Sequence, residues 1–201
     1  MKIKLIIILS AVVINITAQT NVEAKTLFGN GKPHIGYFIN PSCQFGNFAG
    51  ANAVIPGIGA GVILNTKYSL NILYKLTVTE STPAGEADKL YLHGQWFGFK
   101  AEYSLKPEGM VHLNFPLEIG AGEIELDLKD SYENDQIIIP SGDAWFAYLE
   151  PGVAVEINLQ KFIKLNLSAG YRFVSDVTFR NISEKDLKGF TFTTGLKIGL
   201  F

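Results

Sequence analysis

Three histidines, His34, His93 and His112, are the side chains of this 201-residue sequence best suited to move a proton near neutral pH. A hydrolase acting on membrane lipid would set one of them beside a serine nucleophile, with an acid orienting the ring. No Gly-x-Ser-x-Gly turn accompanies them. Each reads instead as a rim or interior hydrogen-bonder: His34 opens the first apolar segment, His93 shares the face of Tyr91 and Phe97, and His112 shares the face of Glu118. No Cys/His spacing suits zinc, no Gly-rich loop suits phosphate, and no dinucleotide fingerprint follows a strand. Asp127, Asp130, Glu133, Asp135 and Asp143 gather around Ile137, Ile138 and Ile139, but not at EF-hand spacing, so a solvated loop is expected there. Those isoleucines could also extend a hairpin and offer an edge to partner strands. The reading assigns no catalytic, cofactor-binding or metal-binding residue, and no cofactor.

The elements that must hold these residues read as strands. From His34 onward, period-two apolar segments alternate with Gly, Pro, Asn, Asp and Ser clusters, over about 33–45, 57–65, 67–79, 89–106, 110–125, 144–159, 162–175 and 189–201. Asn65-Thr66, Lys106 to Gly109 and Gln160-Lys161 are tight hairpin joins, whereas Gln44 to Pro56, Glu80 to Asp88, Asp127 to Asp143 and Asp176 to Lys188 are long. Short turns at one end and long loops at the other are how outer-membrane barrels are wired. An even strand count returns both chain ends to the short-turn side.

The faces of these strands carry a second signal. In the seventh segment Ile163, Leu165, Leu167, Ala169, Tyr171 and Phe173 oppose Lys164, Asn166, Ser168, Gly170 and Arg172. Such alternation alone suits a soluble sheet equally well. The small, charged character of the polar face and the strand length, sufficient to cross an apolar band about 25 Å tall, favour a barrel with its polar face inward. Lys75, Lys100, Glu102, Glu118, Glu150, Glu156, Lys164, Arg172 and Lys197 then point into the lumen, as a paired network that plugs it. Tyr37, Tyr68, Tyr91, Tyr103, Trp145, Tyr148, Tyr171 and Phe173 lie near segment ends, where rings favour membrane boundaries. Pro116 and Pro151 predict bulges or strand breaks, and Gly120-Ala121-Gly122 predicts another bulge. Gly57, Gly59 and Gly61 suit a strand that lets bulky neighbours pack against it.

Composition agrees with this class. Hydrophobic residues make up 47% and charged residues 18%, below the ~25% of ordinary soluble domains, which excludes disorder. No stretch joins basic residues to aromatic partners, so no nucleic acid partner is expected. Lys2 and Lys4 followed by an apolar run to Ile14 and by Ile16-Thr17-Ala18 read as a secretory signal peptide over 1–18, with cleavage as late as Ala24 as the alternative. The barrel then covers 19–201. Cys43 is the one cysteine, so no intramolecular disulfide can form.

The run from Leu149 through Glu150, Pro151, Gly152, Val153, Ala154, Val155, Glu156, Ile157 and Asn158, and on to Ala169-Gly170-Tyr171-Arg172-Phe173, resembles the uncharacterised outer-membrane β-barrel proteins of Bacteroidetes. Ser183 to Leu187, the closing Gly195 to Phe201, and the 57–74 and 98–122 stretches are similar too. The resemblance implies an OmpA/OmpX-like barrel and specifies no activity. Phe201 resembles the terminal aromatic read by the barrel-assembly machinery, although Leu196, Ile198 and Leu200 alternate out of phase with it. No peptidoglycan-binding domain is expected after the barrel.

The expectation is therefore an all-β, eight-stranded antiparallel up-and-down transmembrane β-barrel. It is expected in the cell outer membrane, as a monomer and without enzymatic activity. Its expected partners are outer-membrane lipid, the barrel-assembly machinery and an extracellular ligand of unknown identity. The alternatives are a lipid-modifying barrel enzyme, a small pore and a soluble periplasmic ligand-binding barrel.

Overall fold

The computed structural model describes residues 33–79, 90–128, 143–179 and 181–201. The expected signal peptide over 1–18 and the acidic stretch around Ile137 to Ile139 lie outside the described residues. The chain forms β1 (Ile35–Phe48), β2 (Ala51–Leu64), β3 (Tyr68–Leu76), β4 (Leu90–Leu105), β5 (Val111–Leu128), β6 (Asp143–Gln160), β7 (Ile163–Val174), the short β8 (Thr178–Phe179) and β9 (Ile182–Ser183), one helical turn α1 (Glu184–Leu187), and β10 (Gly189–Leu200). Eight of these strands close into an antiparallel barrel in the order β1-β10-β7-β6-β5-β4-β3-β2. Among the described residues no helix is long and apolar enough to cross a membrane.

Closure comes with a stagger. The pairing row through Ser42 passes Gly57, Lys75, Trp96 and Gly122 to reach Phe146 of β6. The opposite way, through Gly195 and Asn166, it reaches Glu156, ten residues further along the same strand. For eight strands that stagger corresponds to a tilt of roughly 40°.

The two faces separate as the alternation predicts. Ile39, Ile58, Leu70, Ile72, Phe97, Phe99, Leu117, Ile119 and Phe192 are exposed on the outside, while Asn71, Glu102, Glu118, Glu156, Lys164, Arg172 and Lys197 are buried inside. A soluble barrel distributes these chemistries the opposite way. Tyr37 and the Tyr68–Tyr103 pair, with ring centroids 5.4 Å apart, stand outside at the short-turn end. At the other end Tyr171 packs against Phe173 and Phe190 at 4.8 and 5.1 Å, and Trp145 is exposed. Tyr148 does not join this girdle, contrary to expectation. It is buried in the lumen, because it shares the strand face of Glu150, and its hydroxyl donates to Glu118 at 2.8 Å.

The first connection also departs from expectation. In place of a long loop over 44–56, β1 and β2 pair continuously up to Phe48↔Ala51 around a two-residue turn. Ala49 and Gly50 both take positive φ, 56° and 77°, as a type I′ hairpin turn requires. The alternation fades here because Phe48, Ala53 and Ile55 face an interior that is itself apolar at this level, so neither strand face is polar.

The expected bulges at the prolines are absent. Register is constant from Asn114↔Ala154 to Leu117↔Pro151 and from Leu149↔Phe173 to Gly152↔Gly170. Each proline interrupts the ladder towards one neighbour only: Pro116 keeps its pairing with Glu102, and Pro151 keeps its pairing with Leu117. A strand residue's N–H points to a single neighbour, so losing it costs one bond and not the strand. The β6–β7 register shift lies instead between Asn158 and Gln160, beside the turn. The 120–122 stretch is likewise unbulged, with Gly120↔Tyr148 and Gly122↔Phe146 in register. Its glycines make room for rings: a Cβ on Gly122 would overlap the Phe146 ring.

Candidate functional site

The inside of the barrel carries the protein's concentrated chemistry, in three levels. Nearest the short turns, Lys197 contacts Glu102 and lies 2.7 Å from Glu156. Glu156 also receives Lys164 at 3.3 Å, Asn114 at 3.0 Å and His112 Nε2 at 3.1 Å, and Ser69 donates to Glu102 at 2.9 Å. Lys100 stands 3.6 Å from Glu102. In the middle, Lys75 pairs with Glu118, and Arg172 Nε donates to Glu150 at 3.0 Å. Gln44 links these two pairs by donating to Glu150 at 2.6 Å and accepting from Lys75 at 3.3 Å and from Arg172. Thr191 gives Glu150 a further bond at 2.9 Å. All nine predicted charges therefore meet inside, and each acid has at least one base within ion-pair distance. Burial makes such charges costly unless they are paired and hydrogen-bonded, which accounts for the density of bonds.

The third level, towards the longer connections, is apolar. Phe48, Ile55, Leu92, Trp96, Ile124 and Phe146 converge there, with Trp96 edge-on to Phe48 at 5.5 Å and to Phe146 at 6.4 Å. Arg172 lies 5.2 Å from the Trp96 ring centre, joining this level to the ionic one. Val177, Phe179, Ile182 and Leu187 complete the cluster from above. They belong to the connection between β7 and β10, expected as a long polar loop. Here β8 pairs with β9 through Phe179↔Ile182, and Ser183 and Asp186 form a capping box at the start of α1, the Ser183 N–H donating to the Asp186 carboxylate at 2.9 Å. The Gly50 N–H reaches the Asp186 carbonyl at 3.4 Å and ties this cap to the β1–β2 turn. The signal was present as four apolar residues in a segment otherwise rich in Asp, Ser, Glu and Lys, but they have no strand period of their own.

The histidines do not converge. His112 is buried and bonds Gly109 O as well as Glu156. His34 precedes β1, where its backbone N–H donates to Asn65 Oδ1 at 2.9 Å. His93 faces outward in a shallow recess of about 230 Å³ with Gln95, Glu123 and Glu125, in which Gln95 donates to Glu123 at 2.6 Å. Among the described residues, no group of three His, Cys, Asp or Glu side chains is placed to hold a metal ion.

No protein-family model matches the sequence, and no curated protein matches it. Solved structures do. Neisserial surface protein A is similar over 84% of this chain and 99% of its own, with a TM-score of 0.60 and 13% identity. Ail, the attachment invasion locus protein of Yersinia pestis, covers 84% of this chain and 97% of its own at a TM-score of 0.47 and 12% identity. A major outer membrane protein from Thermus thermophilus covers 82% and 99% at a TM-score of 0.47 and 9% identity. At these identities the likeness concerns architecture, and the first of them carries it: the chain has the closed eight-stranded antiparallel fold of an outer-membrane β-barrel.

Proposed function

We propose that this chain is an outer-membrane barrel of the OmpA/OmpX-like kind, surrounded by lipid, that works without catalysis at the cell surface through its longer connections. The observation that carries this reading is the inverted partition of the barrel: an apolar outside with aromatic rings at both ends, and an ionic inside. An interior filled by paired charges and then by the Trp96 cluster leaves little for a solute path, so exchange with a partner falls to the outer rim. The similarity to a protein described as a surface protein supports the location. The resemblance of 149–173 to Bacteroidetes barrels supports the same family. Lipid and the barrel-assembly machinery are the proposed partners of a monomer, with a surface ligand still to be identified.

Cell fractionation with gel mobility before and after boiling tests this reading. The protein is expected in the outer-membrane fraction with a heat-dependent shift in mobility. Recovery in the soluble periplasm, or a mobility indifferent to heat, contradicts it. Two rivals have their own tests. Steady single-channel current in planar bilayers would favour a pore, and altered lipid composition in His93→Ala or His112→Ala cells would favour a lipid-modifying enzyme.

A further inference from the structure

We infer that the lumen holds a small monovalent anion of halide size beside Lys100. Among the described residues the interior carries five bases, Lys75, Lys100, Lys164, Arg172 and Lys197, against four acids, Glu102, Glu118, Glu150 and Glu156. The middle level is balanced, Lys75 with Glu118 and Arg172 with Glu150. The level below it is not, because Glu102 and Glu156 serve Lys100, Lys164 and Lys197 together. Lys197 bonds both carboxylates, and Lys164 pairs with Glu156. Among the described residues Lys100 has only the ion pair with Glu102 Oε1, at 3.6 Å and beyond hydrogen-bond reach, so its ammonium keeps its N–H groups to spare.

The surplus charge borders a space. A cavity of about 30 Å³, lined by polar and apolar groups alike, lies at the middle level, with Lys100 and Lys75 on its wall together with Ser42, Ser168 and Thr193. Glu118 and Glu150 also line it, but each is already engaged, Glu118 by Lys75 and Tyr148 and Glu150 by Arg172, Gln44 and Thr191. The Lys100 ammonium and three hydroxyls supply donors suited to a halide, and Lys75 adds the one N–H left after Glu118 and Gln44. The volume is that of roughly one to three water molecules, too small for a carboxylate such as gluconate. Water in the same place would solvate Lys100 but leave a net positive charge in a low-dielectric interior. A halide removes that charge.

Thermal unfolding of the detergent-refolded protein in sodium chloride, sodium bromide or sodium gluconate at equal ionic strength tests this, since screening is then common to all three. The expected midpoint is higher by about 3 °C in either halide, and the difference is lost in Lys100→Gln. Equal midpoints in halide and gluconate, or a halide effect that survives in Lys100→Gln, overturn the inference. If Lys100→Gln fails to fold, anomalous scattering from bromide-grown crystals of the unaltered chain decides. A peak in contact with Lys100 Nζ supports the site, and a cavity holding water alone overturns it.

Discussion

Lys197 is the residue on which the interior depends most, because it serves Glu102 and Glu156 at once while only 2% exposed. Lys197→Met removes the cation and leaves two buried carboxylates short of it. The expected loss is about 3–5 kcal/mol of unfolding free energy, measured by urea titration in micelles. Lys67→Met, at an exposed turn position, should stay within about 0.5 kcal/mol and serves as the control. Gly122 tests packing. Its replacement by Ala drives a methyl into the Phe146 ring and should cost about 1–3 kcal/mol, partly recovered when Phe146→Leu vacates the space. A loss in the double variant equal to the sum of the single losses would separate the two residues. The nine lumen charges were legible in the sequence because a charge on an apolar strand has one face available to it. Tyr148 was misplaced although it shares the phase of Glu150, since an aromatic ring suits the outer girdle and the inner cluster alike and residue type alone does not choose between them.

At the scale of elements, the barrel strands follow from alternation wherever the interior is polar. Where it turns apolar the signal disappears, and the upper ends of β1 and β2 and the inward cap between β7 and β10 escape the same reading for the same reason. Pro116 and Pro151 mislead for a different one: their cost depends on which neighbour their missing N–H would face, and the sequence does not carry that information. The cap is held chiefly by four apolar side chains, so it should open independently of the barrel. Ile182→Asp places a charge in this cluster. It is expected to raise the rate of protease cleavage within 177–187 by about tenfold or more, with barrel mobility before boiling unchanged. Cleavage unchanged from the parent chain would mean that the cap is not held by this burial.

For the whole molecule, everything rests on which face of the sheet meets lipid. The closed eight-strand barrel was expected from the alternation of short and long joins between eight segments, and the inversion from that wiring together with the aromatic residues near segment ends, so both were readable in advance. A Cys43→Ser background removes the one native thiol and allows nitroxide labels to be placed one at a time along Ser69 to Lys75 in β3. Collision rates with oxygen, which concentrates in lipid, and with a water-soluble nickel complex then report the surroundings of each position in bilayers. Labels at Leu70, Ile72 and Tyr74 should collide with oxygen and not with nickel, while labels at Ser69, Asn71, Leu73 and Lys75 should be shielded from both. Nickel contact at Leu70, Ile72 and Tyr74, or a profile with no period of two, would contradict the account.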